Sequence, residues 1–172
     1  MKRWIYGACL ITGILLLGGC GQNENPTSSG VSTDPVWEAS EPETLDIQQL
    51  LSAEEVSAAM ETTMGEPLLL DNGSCLEFRS EDPAAVVDIL IEEMLNNDPK
   101  IYEATIAQYP EDALVETPNL GESAYWCAET GELLLYNDGF MVSVNVRKEG
   151  EEAERLLNAA RQMAALVIER LP

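Results

Sequence analysis

The sequence predicts an α+β fold, an antiparallel sheet of about five strands with helices packed on it, in the order αββαβββα. Three observations carry this. Strand-like runs of period two follow one another at hairpin distance in the second half. Helical stripes with terminal signals stand before, between and after the strands. And one strand, Leu133-Leu134-Leu135-Tyr136, is apolar on both faces, so its sheet should be covered on both sides there.

The elements begin near Leu45. Leu51-Ser52-Ala53-Glu54-Glu55-Val56 has capping-box spacing at Ser52 and Glu55, with Leu51 and Val56 placed as a hydrophobic staple. A helix is expected from Ala53 to about Thr62, ending before Gly65 and Pro67, with Val56, Ala59 and Met60 on its apolar stripe. Ser74 to Arg79 alternates, with Leu76 and Phe78 on one face and Cys75, Glu77 and Arg79 on the other. Val86 to Glu92 is a second strand, grouping Val87, Ile89 and Ile91. Asp98-Pro99 suits an N-cap and first helical position, and Pro110 stops that helix. Ile101, Thr105 and Tyr109 are expected on its inner side.

Ser123 to Ala128, Leu133 to Tyr136 and Phe140 to Arg147 follow as strands. Glu129-Thr130-Gly131 and Asn137-Asp138-Gly139 separate them, each offering a glycine for positive φ in a hairpin turn. A closing helix from Glu151 to about Arg170 shows a stripe of Ala153, Leu156, Leu157, Ala160, Met163, Ala164 and Val167. Acids crowd its first turn and Arg170 lies near its end, as the macrodipole prefers.

The N-terminus has a different character. Lys2 and Arg3 precede an apolar run from Trp4 to Leu17, which is too short to span a bilayer as a mature helix. Leu17-Gly18-Gly19-Cys20 then resembles the lipobox of bacterial lipoproteins, in which the cysteine takes a diacylglyceryl group before cleavage. That resemblance implies that residues 1–19 are lost as a signal peptide and that Cys20 becomes the lipidated first residue, placing the protein on the outer face of the cell membrane. Residues 20–43 read as a polar tether rich in Ser, Thr, Pro, Asn and Glu, and residues 44–172 as one domain. Trp37 either docks on that domain or stands exposed.

Charge and cysteines bound the function. The 172 residues hold 31 acidic and 9 basic side chains, and removing Lys2 and Arg3 with the signal moves the formal charge from −22 to −24. Such a field repels nucleic acid and anionic headgroups, and favours basic proteins, basic peptides or divalent cations, or serves solubility alone. Cys9 leaves with the signal and Cys20 is acylated, so Cys75 and Cys127 remain. In an oxidising compartment the two read as a structural disulfide, worth about 4 kcal/mol in the chain-entropy model.

With no histidine, Ser-His-Asp, Cys-His and histidine-bearing metal sites are excluded. Phosphate-binding loops, nucleophile elbows and dinucleotide glycine patterns are absent, and neither Lys100 nor Lys148 completes an S-x-x-K spacing. No metal, cofactor or catalytic residue is assigned. The adjacent carboxylates Glu54-Glu55, Glu92-Glu93, Glu111-Asp112 and Glu151-Glu152 sit at element ends and read as solvated faces. Asp71-Asn72-Gly73 and Asn137-Asp138-Gly139 read as turns rather than calcium loops. Trp126 suits the core beside Leu76 and Phe78. Tyr125 points to the opposite face with Cys127, where it either lines a binding surface or shields the disulfide beneath a helix.

Residues 45 to 171 also resemble the small uncharacterised lipoprotein domains of Gram-positive bacteria. The matching stretches are Leu51-Ser52-Ala53-Glu54-Glu55-Val56, the strand bearing Cys75, and Leu120-Gly121-Glu122-Ser123-Ala124-Tyr125-Trp126. The resemblance implies fold and surface location, and no activity. The function expected from the sequence is a non-enzymatic, membrane-tethered binding or assembly module for a basic envelope protein or peptide. A carboxylate-dependent wall hydrolase and an accessory ligand-binding or sensor lipoprotein are the alternatives.

Overall fold

The computed structural model describes residues 45–172 apart from 82, 95 and 96. Cys9, the Leu17–Cys20 motif, the tether and Trp37 lie outside the described residues. Asp46 caps a short 3-10 turn, Ile47–Gln49, by accepting from the Gln48 amide. The capping box expected at Ser52 then forms: the Glu55 amide donates to Ser52 Oγ, and the Ser52 amide donates to Glu55 Oε2. It opens helix α1, Ala53–Met60, which stops at Glu61 in the left-handed region, φ 49°.

Strands β1 (Leu68–Leu70), β2 (Cys75–Glu81) and β3 (Ala84–Glu93) form one meander. Helix α2 (Lys100–Ile106) follows, and a second meander comprises β4 (Leu114–Glu116), β5 (Ser123–Cys127), β6 (Glu132–Asn137) and β7 (Phe140–Lys148). Helix α3, Ala153–Arg170, ends the chain. The strands join in one seven-stranded antiparallel sheet ordered β1-β2-β3-β7-β6-β5-β4. β3 and β7 fasten the meanders together over nine residue pairs, from Ala85↔Lys148 to Glu93↔Phe140. The five strands expected from periodicity are β2, β3, β5, β6 and β7. The two additional ones are three-residue edges, too short to show alternation.

One face of the sheet carries the main core. Leu76, Phe78, Val87, Ile89, Trp126, Leu133, Leu135, Val142 and Val144 pack there under Val56 and Met60 of α1 and Ala160, Met163, Ala164 and Val167 of α3. Each large side chain so buried contributes about 1.5–3 kcal/mol. Trp126 joins Leu76 and Phe78, as its parity requires. The other face is covered locally by α2, where Met94, Tyr102, Leu134, Tyr136 and Met141 make a smaller cluster. Leu134 and Leu135 are thus buried on opposite faces, which accounts for the doubly apolar strand.

Arg170 ties α3 back to the first helix. Its guanidinium donates to the Leu50 carbonyl at 2.7 Å and to both Glu55 oxygens, at 2.9 and 2.5 Å. The Arg170 bond, joined by the Ser52 amide, holds the Glu55 carboxyl down to about 2 from 4.5, against a smaller opposing effect of burial. A carboxyl with a depressed folded pKa stabilises the fold above its unfolded value and loses that contribution as pH falls toward 2. Glu55→Gln should cost about 1 kcal/mol at pH 7. Glutamine still serves the capping box, so the difference in urea midpoint from the parent should shrink between pH 4.5 and 2. A pH-independent difference would show that the ion pair does not stabilise.

Two expectations are corrected. Helix α2 starts at Lys100, one residue later than expected, although Asp98 still accepts from the Lys100 amide at 3.2 Å. Its inner side is Tyr102 and Ile106, with Tyr109 packing on the same cluster from the turn beyond it, while Ile101 is 53% exposed. Hydrophobicity favoured Ile101, but the sheet below presents Tyr136, and ring-to-ring packing turns Tyr102 inward.

The disulfide is not formed. Cys75 and Cys127 are free, buried thiols on β2 and β5. β3, β7 and β6 lie between those strands, a span of about 19 Å at normal strand spacing, whereas a disulfide needs Cα atoms within roughly 7 Å. Burial, with the charges of Asp88 and Asp71, pushes the Cys75 thiol up to about 11. Both thiols should therefore resist a thiol reagent in the folded chain and react fully in denaturant with no reductant added. If reaction in denaturant required prior reduction, this arrangement would be wrong.

Candidate functional site

Because α2 is only seven residues long and crosses above β6, it leaves open clefts along both flanks. The larger, about 440 Å³, is walled by Tyr102, Tyr125 and Tyr136, with Ile106 above and Glu103 and Glu122 at its rim. The Tyr102 and Tyr136 rings tilt at 34° with centroids 5.8 Å apart, a favourable aromatic geometry. Their hydroxyls are committed. Tyr136 donates to the Asn97 carbonyl at 2.7 Å, and Tyr102 bonds Ser123 Oγ at 3.1 Å. Burial raises the Tyr102 phenol further above its ordinary value, so it stays neutral. What the cleft offers a ligand is ring faces.

Tyr125 is half-buried and lies between this cleft and a second one of about 370 Å³, bounded by Tyr109, Pro110 and Leu114 on the other flank of α2. The Tyr125 ring packs on the α2 cluster and also lines open space, and there is no disulfide for it to shield. Glu122 is pinned at the rim, accepting from the Asp138 amide at 2.8 Å, which fixes it to the tight turn between β6 and β7. Glu103 projects from α2, exposed. The rim is thus acidic and the walls aromatic, an arrangement suited to a cation with an apolar stem.

Beyond α2 the same face is polar. The register aligns Glu77, Asp88, Asn145, Glu132 and Cys127 in one row across five strands. Glu132 accepts from Tyr109 Oη at 2.6 Å and from Ser143 Oγ at 2.7 Å, so both of its oxygens are occupied. Burial and that carboxylate push the Tyr109 phenol well above its usual range. A groove of about 380 Å³ opens over Cys75, Glu77, Asp88 and Asn145. There the Arg79 guanidinium draws Glu77 below the ordinary carboxylate range, while burial pushes Asp88 above it despite Arg147 at 2.6 Å.

The adjacent carboxylates of the sequence remain at element ends, mostly exposed, and are not gathered into any of these clefts except at their margins. The pair that does meet, Glu77 and Asp88, comes from two strands and only the β2–β3 register reveals it. Likewise nothing in the spacing of Tyr102 and Tyr136 marks them as neighbours. No group of three or more acidic, cysteine or histidine side chains fit to hold a metal ion occurs among the described residues. Among them, no helix is long and apolar enough to cross a membrane. Comparison with known protein families, with curated proteins and with solved structures found no match to this chain.

Proposed function

We propose that the protein is a lipid-anchored, extracytoplasmic binding module that captures a basic envelope protein or peptide, taking a Lys or Arg side chain into the tyrosine cleft. The observation that carries this reading is the cleft itself: three tyrosine rings, those of Tyr102 and Tyr136 with their hydroxyls already hydrogen-bonded, beside two carboxylates. A cation over such rings gains about 0.5–2 kcal/mol per desolvated contact. The formal charge of −22 supplies long-range attraction for the same class of partner. The anchor rests on the Leu17-Gly18-Gly19-Cys20 motif, which sets the compartment.

Titrating the intact chain in detergent with a lysine-rich peptide should shift the ring resonances of Tyr102, Tyr125 and Tyr136. The affinity should fall steeply with salt, because exposed charges are screened beyond about 8 Å at physiological ionic strength. Tyr125→Ala should weaken it by about 3- to 30-fold. A fatty-acid label on the same material should sit on Cys20 and vanish in Cys20→Ala. Rings that stay unmoved at low salt would defeat the reading.

The groove over Glu77 and Asp88 favours one alternative, a carboxylate-dependent hydrolase. Two facing carboxyls with pKa values driven apart are how acid and base roles are divided. Both are held in ion pairs, by Arg79 and Arg147, which places this reading second. Turnover of a wall polymer that Asp88→Asn abolishes would put it first.

A further inference from the structure

The edge strand β1 is short and follows Pro67, yet its side chains are apolar and exposed. Leu68, Leu69 and Leu70 are 54%, 46% and 40% exposed, a run of three apolar side chains on a strand hydrogen-bonded only to β2 among the described residues. Natural edges are usually blunted by lysine, proline or a bulge, and none of these occurs within the three residues. Pro67 directly precedes the strand, and the nearest charged residues beyond it on either side are acids, Glu66 and Asp71, both exposed. No lysine or arginine occurs anywhere from residue 4 to residue 78.

We propose that β1 accepts an additional antiparallel or parallel strand from an extended, basic polypeptide segment carrying apolar residues at its centre. This goes beyond the tyrosine cleft, which lies across the sheet on the flank of α2. Backbone groups of the added strand would pair with the free edge, and the leucines would pack its apolar side chains on both faces of the sheet. Cations at its ends would meet Glu66 and Asp71. On the second face the acid continues, since Leu70 and Asp71 border the groove that holds Glu77 and Asp88, and Glu77 stands directly opposite Leu68.

A second copy of this chain is a poorer occupant. Its own edge brings the same two acids and no cation, on a molecule of formal charge −22. Self-pairing therefore sets like charge beside like charge at the contact, while a basic strand finds complementary charge there.

The test uses the full chain in detergent and the synthetic peptide Lys-Lys-Val-Leu-Val-Lys-Lys. Hydrogen exchange at the amides of residues 68–70 should slow on adding it, a readout that needs no variant. The same peptide with proline for its central leucine, which lacks one backbone donor and resists a strand, should bind at least tenfold more weakly, as should its Glu-flanked counterpart. Leu68→Lys/Leu70→Lys, at two exposed positions, should also lose tenfold or more while keeping its melting temperature. Tyr125→Ala should leave the slowed exchange at residues 68–70 unchanged even where it weakens capture by the cleft, which separates failure here from failure of the cleft. Unchanged exchange at residues 68–70, or equal slowing there by the proline peptide, overturns the proposal. So does a concentration-dependent dimer that the leucine double variant abolishes, since the edge would then belong to a second copy.

Discussion

Phe78→Ala is expected to destabilise the domain by about 3–5 kcal/mol, the usual cost of emptying a fully buried aromatic site. Phe78 has no exposed surface, sits on β2 opposite Val87, and continues a row that runs on to Val146 of β7. Those neighbours are β-branched and held by a central ladder, so they cannot move in to fill the space. For a domain of this size the loss corresponds to a fall of about 10–20 °C in melting temperature. Ile101→Ala, at the exposed surface of α2, should change stability by less than about 0.5 kcal/mol. Calorimetry on the two variants checks the assignment of faces. Similar melting temperatures would mean that β2 is turned over in the sheet.

Gly131→Ala should be nearly as damaging, for a different reason. Gly131 adopts φ +69° in the β5–β6 turn, and a Cβ there would run into the Val146 carbonyl oxygen, a backbone atom that cannot rotate away. The turn is locked on both sides, since the Gly131 amide donates to Cys127 O at 3.0 Å and Gly131 O accepts from the Val146 amide at 2.7 Å. The left-handed conformation costs alanine about 1 kcal/mol, and displacing the turn from β7 brings the total to about 2–4 kcal/mol. Gly150 is the control. It has φ +76° with nothing within 4 Å of an added Cβ, so Gly150→Ala should cost only the conformational part, about 1 kcal/mol. Equal urea midpoints for the two variants would remove the steric argument.

The site was far less legible than the elements. Tyr125 was placed on the correct face by strand parity alone, because alternation needs no tertiary information. Tyr102 was missed since Ile101, its neighbour, is the more hydrophobic residue, and helix orientation was inferred from hydrophobicity before the sheet beneath was known. The cysteine pairing failed for a related reason. Two thiols in one chain are compatible with a bond until strand order is known, and the order β2-β3-β7-β6-β5 puts three strands between them.

What the sequence determined by itself were local matters: the Ser52–Glu55 box, the glycine-bearing turns, the period of each long strand, and which residues share a face. These depend on side chains a few positions apart, where backbone geometry alone decides who meets whom. The tertiary structure decided the two short edges, the β3–β7 junction that joins the meanders, the rotation of α2 and therefore the tyrosine cleft. The short edges pair with nearby strands but are too short to show alternation. The β3–β7 junction and the seat of α2 join residues tens of positions apart, whose contact is stabilised only once the whole sheet is assembled and one face is buried.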